Sequence, residues 1–231
     1  MNKTTRKIAL FGLLTALALI LGFFDRQIPL FGGMIPGFKL GLANTVLIYA
    51  VYMMDWKSCV LLMLTKVLLT GFLFGNMQSI WVSLAGGALS LLVMLLVKRK
   101  PERGMIAVSV VSAASAIWIP VMFPKISGEI LWILILTCAA FAASTIACIA
   151  IRRGLIRKVI GTSLCGAVAH NLGQTLIAVF VFLQTPRLMI TYFPFLVGVG
   201  ALVGCLTGIV AERVMKLLKA KPADEIKETA P

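Results

Sequence analysis

Eight apolar runs, each close to the length that crosses a bilayer, follow one another with only short polar or basic links between them. They read as about Ile8–Phe24, Leu40–Met54, Cys59–Phe74, Ser79–Val97, Met105–Phe123, Ile130–Ile151, Val159–Leu183 and Thr191–Leu217. A hydrocarbon core about 30 Å thick asks for roughly 20 residues of helix. Inside it every backbone N–H and C=O must be satisfied within the chain, so only helices or closed barrels span. Continuous apolar runs, rather than the alternation of a barrel wall, predict helices. The second and third runs are short, which predicts a tilt, a thinned bilayer or a partly re-entrant segment. With 13% charged residues and a mean hydropathy of +1.02, an ordinary soluble domain is excluded.

The net charge of +14 does not point to nucleic acid, because of where the cations lie. With the N-terminus inside, only Arg26, Lys39, Lys125 and Arg187 of the 22 Lys and Arg fall outside, and Lys66 lies within a span. This asymmetry follows the positive-inside rule and predicts an even number of spans with both termini cytoplasmic. Lys3, Arg6 and Lys7 before an apolar run resemble a signal peptide. Asp25-Arg26-Gln27 follows in place of a small-residue cleavage site, so a retained first helix is expected. All five cysteines fall in apolar runs without a CxxC pair and read as buried hydrophobes, not a disulfide or zinc framework. One transmembrane domain over residues 1–218 is expected, with a disordered tail at 219–231.

Lys66 is a single cation in the charge-free stretch Ser58–Val97. A charge at that depth is costly and marks an ion path, a ligand site or an internal pair. It lies nine residues from both Lys57 and Gly75, at least about 12 Å from either end of its span. The acids Asp25, Asp55, Glu102, Glu129 and Glu212 fall at or near span ends, so a neutralising ligand is expected before an internal salt bridge. Three other segments join it. Asn44 follows Gly41 and Ala43, where a polar amide bonds either across helices or to a ligand. Asn76 lies in the link after the third run. His170, Asn171 and Gln174 stand at i,i+4 and i,i+3 spacing and read as a polar stripe on the seventh span. One His without an acidic or cysteine neighbour makes no metal site.

The first outward loop, Asp25–Phe38, mixes glycines and prolines with Phe31, Met34 and Ile35. It reads either as a lid, with Gly33, Pro36, Phe38 and Lys39 at its centre, or as an interfacial loop. Two small-residue faces stand out: Ala9, Gly12 and Ala16 in the first helix, and Gly200, Gly204 and Gly208 in the last. Such faces pack helices internally or dock a separate membrane protein.

The strings Lys39-Leu-Gly-Leu-Ala-Asn-Thr-Val46, Leu73-Phe-Gly-Asn76, Ser83-Leu-Ala-Gly-Gly-Ala-Leu-Ser90 and Gly166-Ala-Val-Ala-His-Asn-Leu-Gly-Gln174 resemble the Gx transporter family. That family is also labelled heptaprenyl diphosphate synthase component I and is similar to the S components of energy-coupling-factor transporters. The resemblance covers about Ile8–Lys100 and Val159–Lys219. It implies an all-α, S-component-like bundle of six helices in a bacterial cell membrane, to which residues 102–157 add two inserted helices. It also implies capture of a small lipophilic or amphipathic, anionic molecule, with Lys66 neutralising it and Asn44, Asn76, His170, Asn171 and Gln174 orienting it. A transmembrane coupling subunit with ATPases would be the partner, docked on Ala9, Gly12 and Ala16, and an isoprenoid or quinone-related compound the ligand. No cofactor is implied.

The synthase label meets a chemical objection. Prenyl diphosphate synthases hold magnesium on paired aspartate-rich motifs, and this chain has eight acids with no such cluster. It also has no P-loop. A non-catalytic membrane accessory subunit of isoprenoid or quinone synthesis stands as the alternative to the binding and transport reading.

Overall fold

The computed structural model describes residues 3–27, 41–122, 128–153, 158–183 and 187–219, and among them every regular element is a helix. In order these are α1 (Lys3–Gln27), α2 (Asn44–Met53), α3 (Trp56–Phe74), α4 (Met77–Val97), α5 (Pro101–Met122), α6 (Gly128–Arg152), α7 (Lys158–Ile177) and α8 (Arg187–Lys219). A π-helical turn over Ala178–Leu183 continues α7. The fold is that of a polytopic helical membrane protein. Among the described residues five helices are long and apolar enough to cross a bilayer: Lys7–Asp25, Trp56–Phe74, Met77–Val97, Lys158–Phe182 and Phe195–Leu217.

The second run forms a helix shorter than its apolar stretch. Its helix has ten residues, about 15 Å, and covers half a bilayer at most. The helix starts late because Gly41 takes φ +85°, a left-handed conformation that only glycine adopts at little cost. Other boundaries follow local chemistry. Pro101 opens α5, where its missing N–H costs nothing. Gly75 and Asn76 are extended and separate α3 from α4, and Asn76 Oδ1 accepts the Ser79 N–H at 2.8 Å as an N-cap.

At the centre stands α7, 72% of whose spanning window is buried, against 22% for α1 at the periphery. Small residues make that position possible. A Cβ on Gly204 would lie 2.7 Å from Leu164 Cα, and one on Gly208 2.8 Å from Ile160 Cα, so α8 meets α7 almost backbone to backbone. The Gly200, Gly204 and Gly208 face is therefore internal packing. On the other side Gly173 sits against Ala85 and Gly86 of α4. Helices α5 and α6 pair with each other and lie against α7 and α8. Helices α2 and α3 share a core of Val46, Leu47, Ile48, Leu62, Met63 and Val67, and α1 rests on both.

One end of the bundle is basic. Lys7 pairs with Asp55 at 3.7 Å, Lys98 Nζ donates to Val51 O at 2.6 Å, and Lys158 Nζ donates to Arg99 O at 3.2 Å. Asp55 lies between α2 and α3, where its own backbone N–H and the Ser58 hydroxyl hold its carboxyl below the usual range. The loop containing Gly33, Pro36, Phe38 and Lys39 lies outside the described residues, as does the tail beyond Lys219.

Candidate functional site

At the end of the bundle opposite the basic one, five segments converge on a buried polar cavity. Gly22 and Asp25 come from α1, Gly41 and Ala43 from the entry of α2, Lys66, Val67 and Thr70 from α3, Ser83 from α4 and His170 from α7. Their approach depends on missing side chains. A Cβ on Gly22 would fall 2.6 Å from Thr70 Cγ2, and one on Gly86 would fall 2.7 Å from Gln174 Cγ and 2.9 Å from His170 Cε1. Glycine at these two positions lets α1 close on α3 and lets the imidazole approach α4.

Lys66 is 8% exposed and its ammonium donates to Asn44 Oδ1 at 3.0 Å. Its own carbonyl accepts from the Thr70 hydroxyl one turn on. The Asn44 amide is only half satisfied: Nδ2 is buried and has no hydrogen-bond partner among the described residues. An unpaired amide donor in such a place forfeits its solvation without return, about 1–3 kcal/mol. Two donors, an ammonium and an amide, thus stand side by side near the Gly41 turn.

Asp25, outside the expected binding set, is 2% exposed. Its carboxylate accepts the Gly41 N–H at 2.9 and 3.1 Å and the Leu42 N–H at 3.1 Å. The left-handed Gly41 presents these two amides as a small anion-holding nest, which fastens the end of α1 to the start of α2. An acid therefore lines the same cavity as Lys66, and the expectation that no carboxylate comes near the buried cation is corrected. Gly22 and Asp25 share a face of α1 at i,i+3, the one local signal that a gap and an acid belong to one site.

The other candidates divide. His170 lines the cavity, and Gln174 stands behind it with Nε2 at 2.8 Å from His170 Nε2. With the amide donating, the ring Nε2 is the acceptor. Asn171 faces away: its Nδ2 donates to Leu196 O at 2.8 Å and lies against Gly200, so it joins α7 to α8. The predicted grouping of Asn171 with His170 fails because neighbouring helix residues diverge by about 100°. Asn76 is exposed and its side chain caps α4, so the structure does not bring it to the cavity. Ala9, Gly12 and Ala16 are exposed on α1, and a Cβ on Gly12 would meet nothing within 4 Å.

The space that the centre of a water molecule can reach in this cavity is about 20 Å³, room for one water. Among the described residues no group of three His, Cys, Asp or Glu could hold a metal ion. The arrangement can donate hydrogen bonds to an acceptor, balance one charge against another and hold an imidazole nearby.

The family described as heptaprenyl diphosphate synthase component I matches residues 14–122 and 118–214, and the chain belongs to that family. No curated protein matches it, and no solved structure does.

Proposed function

We propose, from membership of that family, that this chain is a non-catalytic membrane component that binds the polar head of a small amphipathic molecule and works with a separate protein partner. The single observation that carries this reading is the pair of donors at Lys66 and Asn44, one charged and one unsatisfied, buried at the bundle end where α1 finishes and α2 begins. A buried ionisable residue in a membrane helix marks a function by default, and an unmatched donor beside it marks the place of an absent acceptor. Asp25 shares the cavity and can balance part of the Lys66 charge. An oxygen-rich, anionic or strongly accepting group fits it best.

A cavity of one water admits such a head only when the Asp25–Gly41 contact yields. Helix α1 suits that movement because it is the least buried of the spanning helices. The basic end faces the cytoplasm under the positive-inside rule, which puts the polar site on the outer side of a bacterial membrane. The exposed Ala9, Gly12 and Ala16 face would receive a transmembrane coupling subunit. The second reading, an accessory subunit of isoprenoid or quinone synthesis, is favoured by the family's name, which denotes one component of a synthase. Affinity purification from the native membrane separates the two. An ATPase-linked membrane protein supports capture and transport. A soluble prenyltransferase in its place overturns the transport part, and an extract free of any small molecule beyond bulk lipid and detergent overturns the binding part.

A further inference from the structure

The α5–α6 pair has no part in the polar site, yet it carries a groove of its own. About 330 Å³ lies open between the two helices, walled by Ile106 and Val110 of α5 and by Phe141 and Ile149 of α6, with Arg152 at one end. All four apolar side chains are exposed, so the groove faces the surroundings of the bundle rather than its core. Arg103 precedes Ile106 by three residues and Val110 by seven, which puts it on the same helix face. Arg152 follows Ile149 by three.

Both arginines stand at the same end of the pair. Pro101, Met105 and Ile151 all come within 3.2 Å of a Cβ placed on Gly161, so the first turn of α5 and the last turn of α6 meet there against the start of α7. The amino end of one helix beside the carboxyl end of the other leaves their dipoles largely offset. Among the described residues no acid lines the groove, and the guanidinium of Arg152 stands at its end.

A largely apolar groove, with Ser109 and Thr145 in its wall, that ends at Arg152 with Arg103 on the adjoining helix face matches one chemistry. We propose that this groove binds a single anionic, phosphate-bearing membrane lipid, its chain along Val110 and Phe141 and its phosphate held by Arg103 and Arg152. Guanidinium groups grip phosphate through paired N–H donors, and basic pockets between membrane helices recognise anionic headgroups. A transmembrane helix of a partner would leave the two charges without a counterpart. The apolar groove between α1, α2 and α8 lacks such an end.

The test uses the full chain in nanodiscs of phosphatidylglycerol or phosphatidylcholine, followed by native mass spectrometry of retained lipid. The wild type should keep phosphatidylglycerol with about tenfold preference or more, and the double variant Arg103→Gln/Arg152→Gln should lose that preference. Ala113→Trp, which fills the groove without touching charge, should weaken both lipids. The control Arg99→Gln/Lys100→Gln should leave the preference intact. Equal retention of the two lipids by the wild type overturns the proposal, as does an unchanged preference in the double variant. Full competition by glycerol phosphate, which lacks a chain, also overturns it, since the arginines would then hold a free anion.

Discussion

The ammonium of Lys66 donates to the side-chain carbonyl of Asn44 at 3.0 Å, tying the middle of α3 to the first turn of α2. Removing either partner exposes what the other costs. Asn44→Leu keeps the branched shape but removes one acceptor from a buried ammonium, and should destabilise the protein by about 1–3 kcal/mol. A thermal melt in mild detergent reads this, and an unchanged Tm would show that the bond contributes nothing.

Asp25 and Gly41 form the second tie at this end. Asp25→Asn retains one oxygen acceptor but loses the charge that strengthens three contacts, an expected cost of about 1–3 kcal/mol. Gly41→Ala keeps the carboxylate but strains a left-handed backbone, at about 1–2 kcal/mol. If α1 and α2 part here when the site opens, both variants should also speed hydrogen exchange at Leu42. Exchange at the wild-type rate in both would remove the contact from any opening step.

Two residues of the expected binding set should behave as structural only. Asn171→Ala loses a bond to α8 and Asn76→Ala loses a helix cap, each at roughly 1 kcal/mol. Neither should change the small molecule retained per folded protein, whereas His170→Ala should reduce it. Loss of retention in Asn171→Ala alone would reverse the assignment.

The two small-residue faces should respond oppositely to bulk. Gly204→Val drives a side chain onto the Leu164 backbone and should cost about 1–3 kcal/mol. Gly12→Val projects into open space and should leave the Tm unchanged. If α1 docks a partner, the same Gly12→Val should abolish co-purification, and intact co-purification would place the partner elsewhere.

Where local punctuation is strong, the fold was legible in the chain. The ends of α3 at Phe74 and α4 at Val97 coincide with the ends of their apolar runs, because Gly75-Asn76 and Lys98-Arg99-Lys100 stop them. The late start of α2 was hidden, since a left-handed glycine leaves no mark on hydropathy. Lys66, Asn44 and His170 stood out as polar groups in apolar runs. Asp25 did not, because placing it beside Lys66 depends on α1 packing against α3, a tertiary fact. Asn171 misled for a simple reason: i,i+3 spacing to Gln174 says that two residues share a broad face, not which neighbour that face meets.

The central claim is that Lys66 anchors a bound molecule. Native mass spectrometry of the wild type beside Lys66→Met, purified identically and checked for a matching helical spectrum, tests it most directly. The account predicts a discrete small-molecule adduct on the wild type and none on the variant. The same adduct on both proteins would contradict it.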